Sequence, residues 1–131
     1  MGQLAARQGD RIMAFDTHVL LVPGQPAPVP APHRFAGILD SGLSRDVRIG
    51  GRAAATAGST ATNTPVHTPA DPTAQFQRPP TNRAAVQAGS ATVRINGRPA
   101  ARAGDPALTC NDPVDRAVGR IVVPGGTVRI G

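Results

Sequence analysis

Residues 93–105 read V-R-I-N-G-R-P-A-A-R-A-G-D, and residues 47–59 read V-R-I-G-G-R-A-A-A-T-A-G-S. The two stretches share nine identities over thirteen ungapped positions, which chance similarity in a chain rich in Ala, Gly and Arg explains poorly. A third copy is split between the ends of the sequence: residues 128–131 repeat the opening V-R-I, and residues 5–10 repeat the remainder. Because the split copy brings the two ends together, the sequence predicts a closed ring of three units.

Each copy has the pattern of a short β-hairpin. Val-Arg-Ile alternates apolar and polar side chains, as a half-buried strand does. Asn96-Gly97 and Gly50-Gly51 then supply two residues that tolerate the positive φ angles of a type I′ turn. Pro99 follows the turn and has no N–H to donate, which suits an edge or the beginning of a strand.

These patterns predict an all-β fold, a small cone of three pseudo-threefold β-hairpin repeats joined by loops rich in Pro and Gly. We expect a single domain over residues 1–131. Its repeat cores are residues 5–10 together with 128–131, residues 47–59, and residues 93–105. No sustained helical period is present, and only residues 82–88 suit a short helix.

The composition leaves little material for a large hydrophobic core. Gly (15) and Pro (14) together outnumber the 27 Val, Leu, Ile and Phe residues, and the chain has no Trp or Tyr. The single Cys excludes an internal disulfide. Something other than a large core or a disulfide must therefore stabilise the fold.

The charge is strongly basic, at a formal +6, and every basic residue is Arg. An Arg-rich, zinc-stabilised nucleic-acid-binding module is one alternative function. The Arg residues are scattered singly and aromatic residues for base stacking are scarce, so we expect solvated charges and no nucleic-acid partner. The longest apolar run is residues 19–22, so we expect no transmembrane helix and no signal peptide.

All the His residues and the only Cys fall in the loops between the hairpins, and they form the candidate ligand set His18, His33, His67 and Cys110. Four nitrogen and sulfur ligands are the set used by a closed, tetrahedral structural zinc site. Such a zinc contributes about 10–16 kcal/mol of apparent binding free energy, enough to replace a missing core. A small zinc hydrolase is the second alternative, with a water on the metal and Asp16 or Asp112 as general base.

Residues 99–102 spell P-A-A-R, and the surrounding I-N-G-R-P-A-A-R-A-G-D resembles the consensus of the PAAR-repeat proteins, the spike-tip proteins of contractile injection systems. The segments T-H-V at 17–19, P-H-R-F at 32–35 and T-C-N-D at 109–112 resemble the PAAR-like branch of that family. The second repeat departs from the pattern, because R-A-A-A-T at 52–56 lacks the Pro and the second Arg.

The resemblance implies a non-enzymatic tip protein that caps and sharpens the trimeric β-helical spike, VgrG-like or phage-spike-like, of a type VI secretion system or a related phage-tail-like particle. It implies one structural Zn²⁺ near the apex, on the four ligands given above. We expect the protein to be made in the bacterial cytoplasm, assembled at the particle tip and ejected on contraction, aiding effector delivery while touching the target membrane only transiently. The candidate residues for pairing with the spike are those of the V-R-I strands: Val47, Ile49, Val93, Ile95, Val128 and Ile130.

Overall fold

A computed structural model describes residues 2–131, which form strands and turns and contain no helix. The predicted all-β class is therefore confirmed. The strands are, in chain order, β1 (Gln3–Leu4), β2 (Arg11–Leu21), β3 (Val29–Ser41), β4 (Arg48–Ile49), β5 (Arg52–Ala53), β6 (Thr60–Asn63), β7 (Gln75–Phe76), β8 (Arg83–Val86), β9 (Arg94–Ile95), β10 (Arg98–Pro99), β11 (Pro106–Thr109), β12 (Arg116–Val122) and β13 (Arg129–Ile130).

Six strands close into a barrel. They follow the order β12-β11-β8-β6-β3-β2, all neighbours are antiparallel, and β12 pairs back with β2. The barrel consists of one strand pair from each repeat: β2 with β3, β6 with β8, and β11 with β12. The short strand β7 adds to the far end of β2, away from the β12 pairing. In the part of the chain that the structure describes, no helix long and apolar enough to cross a membrane is found.

Residues 82–88, for which the sequence suited a short helix, contain strand β8 instead. Ala84 and Ala85 of β8 pair with β6 on one side and with β11 on the other. The Ala-rich composition permits either conformation. The extended one forms because its backbone can pair with β6 on one side and with β11 on the other. The helix expectation was wrong for this tertiary reason.

Small residues make the barrel narrow enough to pack with only a few large side chains. Its interior includes Ile12, Ala61 and Ala107, one from each repeat and all fully buried. A β-carbon added at Gly37 would lie 2.5 Å from the ring of Phe35 on the same strand and 3.0 Å from Ala61 Cβ on β6, so glycine leaves the space that the buried ring occupies. The scarcity of large apolar residues therefore corresponds to a tightly packed barrel rather than to disorder.

Three two-stranded hairpins form the base below the barrel: β4 with β5, β9 with β10, and β13 with β1. The third hairpin joins the two ends of the sequence, with Gln3 paired to Ile130. Its formation from the split copy completes the predicted pseudo-threefold set of hairpins. Gly50, Gly51, Asn96 and Gly97 all have positive φ, as the predicted type I′ turns require.

A ring of three equivalent hydrogen bonds ties the repeats together where the base meets the barrel. The N–H of Ala6 donates to Ala101 O, that of Ala101 to Ala55 O, and that of Ala55 to Ala6 O, each at 3.0 Å. The three alanines are completely buried or nearly so. Because these methyl groups are buried where the three repeats meet, a larger side chain would have to displace its neighbours, which accounts for the alanines at this position in every copy.

Each copy then turns into the barrel at a glycine with φ near +90°: Gly9, Gly58 and Gly104. The following Asp or Ser accepts a hydrogen bond from the backbone N–H three residues earlier. In the first copy, Arg7 N–H donates to Asp10 Oδ2 at 2.8 Å. The repeated G-D or G-S ending thus encodes one turn, used three times.

The base hairpins lie head to tail around the axis. Asn96 at the tip of β9–β10 accepts a hydrogen bond from Ser44 and donates one to Asp46, ahead of β4. Gly131 at the tip of the split hairpin accepts one from Ser90, ahead of β9. The tip of each of these hairpins therefore contacts the root of the next one in the ring.

Candidate metal centre

Strand β2 carries two ionisable side chains into the barrel interior. Its even-numbered residues face inward, so Ile12 and Ala14 are followed on the same face by Asp16 and His18. Because β2 begins at the Gly9 turn beside the base, Asp16 and His18 lie towards the opposite end of the barrel. Both side chains are buried, at 0% and 1% exposure.

The other two repeats each contribute one further group at this end. Cys110 follows the last residue of β11 directly, and His67 lies in the connection from β6 to β8. The backbone of that connection is held by Asn82, whose Oδ1 accepts hydrogen bonds from His67 N–H at 2.7 Å and from Asn63 Nδ2 at 3.2 Å. Side chains from all three repeats therefore converge on one point.

The resulting cluster comprises Asp16, His18, His67 and Cys110, all buried, and one ligand atom from each lies within 4.8 Å of the others. Asp16 Oδ2 lies 3.0 Å from His67 Nε2. Cys110 Sγ lies 3.5 Å from Asp16 Oδ2 and 3.6 Å from His18 Nε2. Two imidazoles, a thiol and a carboxylate at these separations are a donor set that can hold a metal ion.

Asp16 uses its two carboxylate oxygens differently. Oδ1 accepts hydrogen bonds from the Thr109 hydroxyl and, at 3.4 Å, from Asn111 Nδ2. Oδ2 is the oxygen that faces His67 and Cys110. The first oxygen thus fixes the orientation of the carboxylate, and the second is available to the cluster.

A second carboxylate lies behind His18. Asp112 Oδ2 is 3.6 Å from His18 Nδ1 and accepts a hydrogen bond from Val19 N–H at 2.8 Å. Asp112 Oδ1 accepts hydrogen bonds from Arg78 Nε and Nη2 at 3.1 and 2.8 Å. Although burial raises the pKa of Asp112, Val19 N–H and Arg78 lower it to below its ordinary value. An ionised carboxylate beside the outer nitrogen of an imidazole is a common arrangement around metal-binding histidines.

His33, the remaining predicted ligand, lies beside the cluster but outside the set of four. Its ring centroid is 5.6 Å from that of His18 and 5.7 Å from that of His67. Its Nδ1 lies 3.0 Å from Ala31 O, and its Nε2 accepts a hydrogen bond from Ala70 N–H at 3.1 Å. The role of His33 as a ligand stays a prediction.

The family model described as PAAR motif matches residues 30–115, which is more than half of the chain. The chain belongs to the PAAR family. The matched segment of this PAAR protein contains the second and third repeats, and Asp16 and His18 precede it. No curated protein matches the chain. PAAR proteins form a structural family of spike tips, and membership supports such a role in a contractile injection system.

Sequence reasoning missed Asp16 as a member of the metal cluster of this PAAR protein and considered it only as a base for a hydrolase. The signal was present in the period of β2. Ile12, Ala14, Asp16 and His18 are spaced by two, so a strand that directs His18 inward directs Asp16 inward as well.

Burial sets the protonation states of this PAAR cluster in the absence of metal. Burial, with the adjacent Asp16 carboxylate, raises the pKa of the Cys110 thiol to about 11. Burial likewise lowers the pKa of His18 and His33 below 6.5. At neutral pH without metal, the Cys110 thiol is therefore protonated and the imidazoles of His18 and His33 are neutral.

We expect the chelator-treated protein to be most stable between pH about 6.5 and about 9. Below pH 6.5, the unfolded chain takes up protons on His18 and His33 that the folded chain does not bind, so the free energy of unfolding falls as the pH falls. Above pH 9.0, the unfolded Cys110 ionises while the folded thiol keeps its proton up to about 11, so stability falls again. Thermal unfolding with excess chelator, from below pH 6.5 to above pH 9, measures both effects. A melting temperature that rises on acidification from pH 7 would contradict the prediction.

Proposed function

We propose that this chain is a non-enzymatic tip that caps the trimeric β-helical spike, VgrG-like or phage-spike-like, and sharpens it for membrane puncture and effector delivery. The observation that carries the proposal is the threefold base: three equivalent hairpins around the Ala6, Ala55 and Ala101 ring. One chain with internal threefold symmetry can meet a true trimer on its axis without leaving any spike chain uncontacted. The tip would be made in the bacterial cytoplasm and ejected with the spike, touching the target membrane transiently.

The base offers the spike both backbone edges and apolar side chains. Strands β4, β9 and β13 each pair with a single neighbour, so each has one open edge. Behind these edges lies an apolar cluster that contains Ile95 and Ile130, with Val47, Ile49 and Val93 packed against it. These are five of the six residues predicted for spike pairing, and the sixth, Val128, is 42% exposed. The arrangement supports addition of spike strands to three edges over an apolar floor.

We further propose that the metal is one structural Zn²⁺ held by His18, His67, Cys110 and a fourth ligand. His33 is the fourth ligand that the sequence predicts, but the geometry favours Asp16, whose Oδ2 already faces the other groups while both His33 nitrogens contact backbone. A bound zinc would cross-link the three repeats at the end of the barrel opposite the base. Four protein ligands would leave no position for a reacting water, which is consistent with a structural role.

Asp16→Asn is expected to weaken zinc binding at least about 10-fold, and His33→Gln by clearly less. Asparagine keeps the size and the Thr109 hydrogen bond of Asp16 but removes the charged ligand oxygen. Competition with a chromophoric chelator ranks the two variants. Cobalt-substituted samples of both variants should retain the thiolate absorption band from Cys110. If His33→Gln weakened zinc binding more than Asp16→Asn, His33 and not Asp16 would be the fourth ligand.

The purified chain is expected to bind the trimeric spike protein of the same particle with one tip per three spike chains. Native mass spectrometry of the mixture gives this stoichiometry directly. Three tips per trimer would contradict capping on the axis. The absence of any complex at micromolar concentrations would overturn the proposed function itself.

A further inference from the structure

One arginine occupies the same place in every copy of the repeat. Arg48, Arg94 and Arg129 are the central residues of the three V-R-I stretches, and all three are exposed. Each donates a hydrogen bond from Nη1 to a glycine carbonyl at its own hairpin turn, at 3.1, 3.1 and 3.2 Å respectively. The three guanidinium groups are therefore held in equivalent positions around the pseudo-threefold axis.

The same three residues are at the middle of the open edges. Val47 O accepts a hydrogen bond from Ala54 N–H at 3.0 Å, and the equivalent bonds from Ala100 to Val93 and from Ala5 to Val128 are 3.0 and 2.9 Å. In an antiparallel ladder, hydrogen-bonded pairs alternate with pairs that are not bonded to each other. The residue that follows each of these valines, which is the arginine, consequently turns its own N–H and C=O outward from the hairpin.

None of the three arginines has a carboxylate partner among residues 2–131. The arginines that form ion pairs with aspartates lie at other positions of the chain: Arg7, Arg52, Arg78 and Arg102. Asp46 precedes β4, and its carboxylate accepts the Asn96 amide at 2.8 Å. Each guanidinium donates to a neutral carbonyl. A carboxylate would bind it more strongly, because it is charged and can accept two hydrogen bonds.

The other positions of the base do not repeat a charge three times. Arg52 and Arg98 are equivalent to Gln3, and Arg7 and Arg102 are equivalent to Thr56. A partner with true threefold symmetry presents each of its groups three times in the same orientation. Only a position that keeps its side chain in all three copies can meet such a group on every chain.

Building on the proposed docking to a spike, we propose that Arg48, Arg94 and Arg129 recognise a carboxylate side chain that each chain of the trimeric partner presents beside its pairing strand. Backbone pairing at each edge places a residue of the partner strand directly across from the arginine. Opposite charges at such cross-strand positions attract, and like charges repel. The partner is thus a threefold protein surface with an apolar centre and one Asp or Glu per chain around it.

The test compares two triple variants with the same loss of three positive charges. R48Q/R94Q/R129Q alters the base, and R34Q/R116Q/R120Q alters exposed arginines on the barrel wall. Binding to the purified trimeric spike is measured by calorimetry or biolayer interferometry at several salt concentrations. We expect the base variant to bind at least about 10-fold more weakly at about 0.15 M salt and with a shallower salt dependence, and the wall variant to stay within about twofold of the unchanged protein.

Base and wall variants that weaken binding equally would overturn the proposal, since only total charge would then matter. A base variant that binds as tightly as the unchanged chain would also overturn it, and spike capping would stand. Failure of the unchanged chain to bind would overturn capping and the arginine proposal together. Thermal unfolding of each variant checks its fold, and the single variants R94Q and R116Q provide the same comparison if a triple variant does not fold.

Discussion

Cys110→Ser is expected to abolish stoichiometric zinc and to lower the melting temperature by at least about 10 °C. Cys110 is buried and is the third repeat's contribution to the cluster with Asp16, His18 and His67. A serine hydroxyl is a poor zinc ligand, so the substitution would leave three ligands and remove the metal-mediated link between the third repeat and the other two. Because a structural zinc contributes about 10–16 kcal/mol in small metal-dependent folds, even partial loss is large for a chain of this size.

Metal analysis of the purified protein and thermal unfolding measure the two effects of this substitution. Arg116→Ser is the control, because Arg116 is exposed on β12 and its side chain is not part of the cluster, and the melting temperature of this variant should change by no more than about 2 °C. An unchanged chain that keeps its fold with substoichiometric zinc would refute the zinc assignment.

Ala101→Leu is expected to destabilise the protein by about 3 kcal/mol or more. Ala101 has no exposed surface, and its backbone belongs to the ring with Ala6 and Ala55. A leucine side chain there would force the three repeats apart and lengthen the hydrogen bonds that join them. Chemical denaturation gives the change in free energy of unfolding.

Ala117→Leu is the matched control for this substitution. It makes the same side-chain change on β12 at an exposed position, so its effect should remain within about 0.5 kcal/mol. If the two leucine variants proved equally stable, the axis would have to be more loosely packed than the structure indicates.

The base could be predicted from the sequence because its information is local and is repeated. The V-R-I strands, the Asn-Gly or Gly-Gly turns and the G-D or G-S endings each encode a short segment, and the split copy encodes the closure. The barrel could not be predicted from the sequence, because residues 23–32 contain so many prolines that they suggest a loop. In the structure, Pro30 and Pro32 lie in β3, on a stretch that pairs only with β2, where a missing N–H is tolerated.

The candidate site was partly predictable for a similar reason. His18, His67 and Cys110 could be recognised by residue type, since few side chains in this chain bind metals. Asp16 could not be recognised by type, because the chain has eight aspartates. Its place in the cluster depends on the length and phase of β2, and β3 and β12 establish these by pairing with it.

The ring formed by Ala6, Ala55 and Ala101 also determines how the fold would respond to force. A compressive force along the axis that tends to separate the three repeats would place these three hydrogen bonds under tension around the circumference of the ring. The three bonds are equivalent and carry this tension in parallel, so they cannot open one after another as the rungs of a peeled hairpin do. The part of the molecule with the smallest side chains is thus the part that resists bursting.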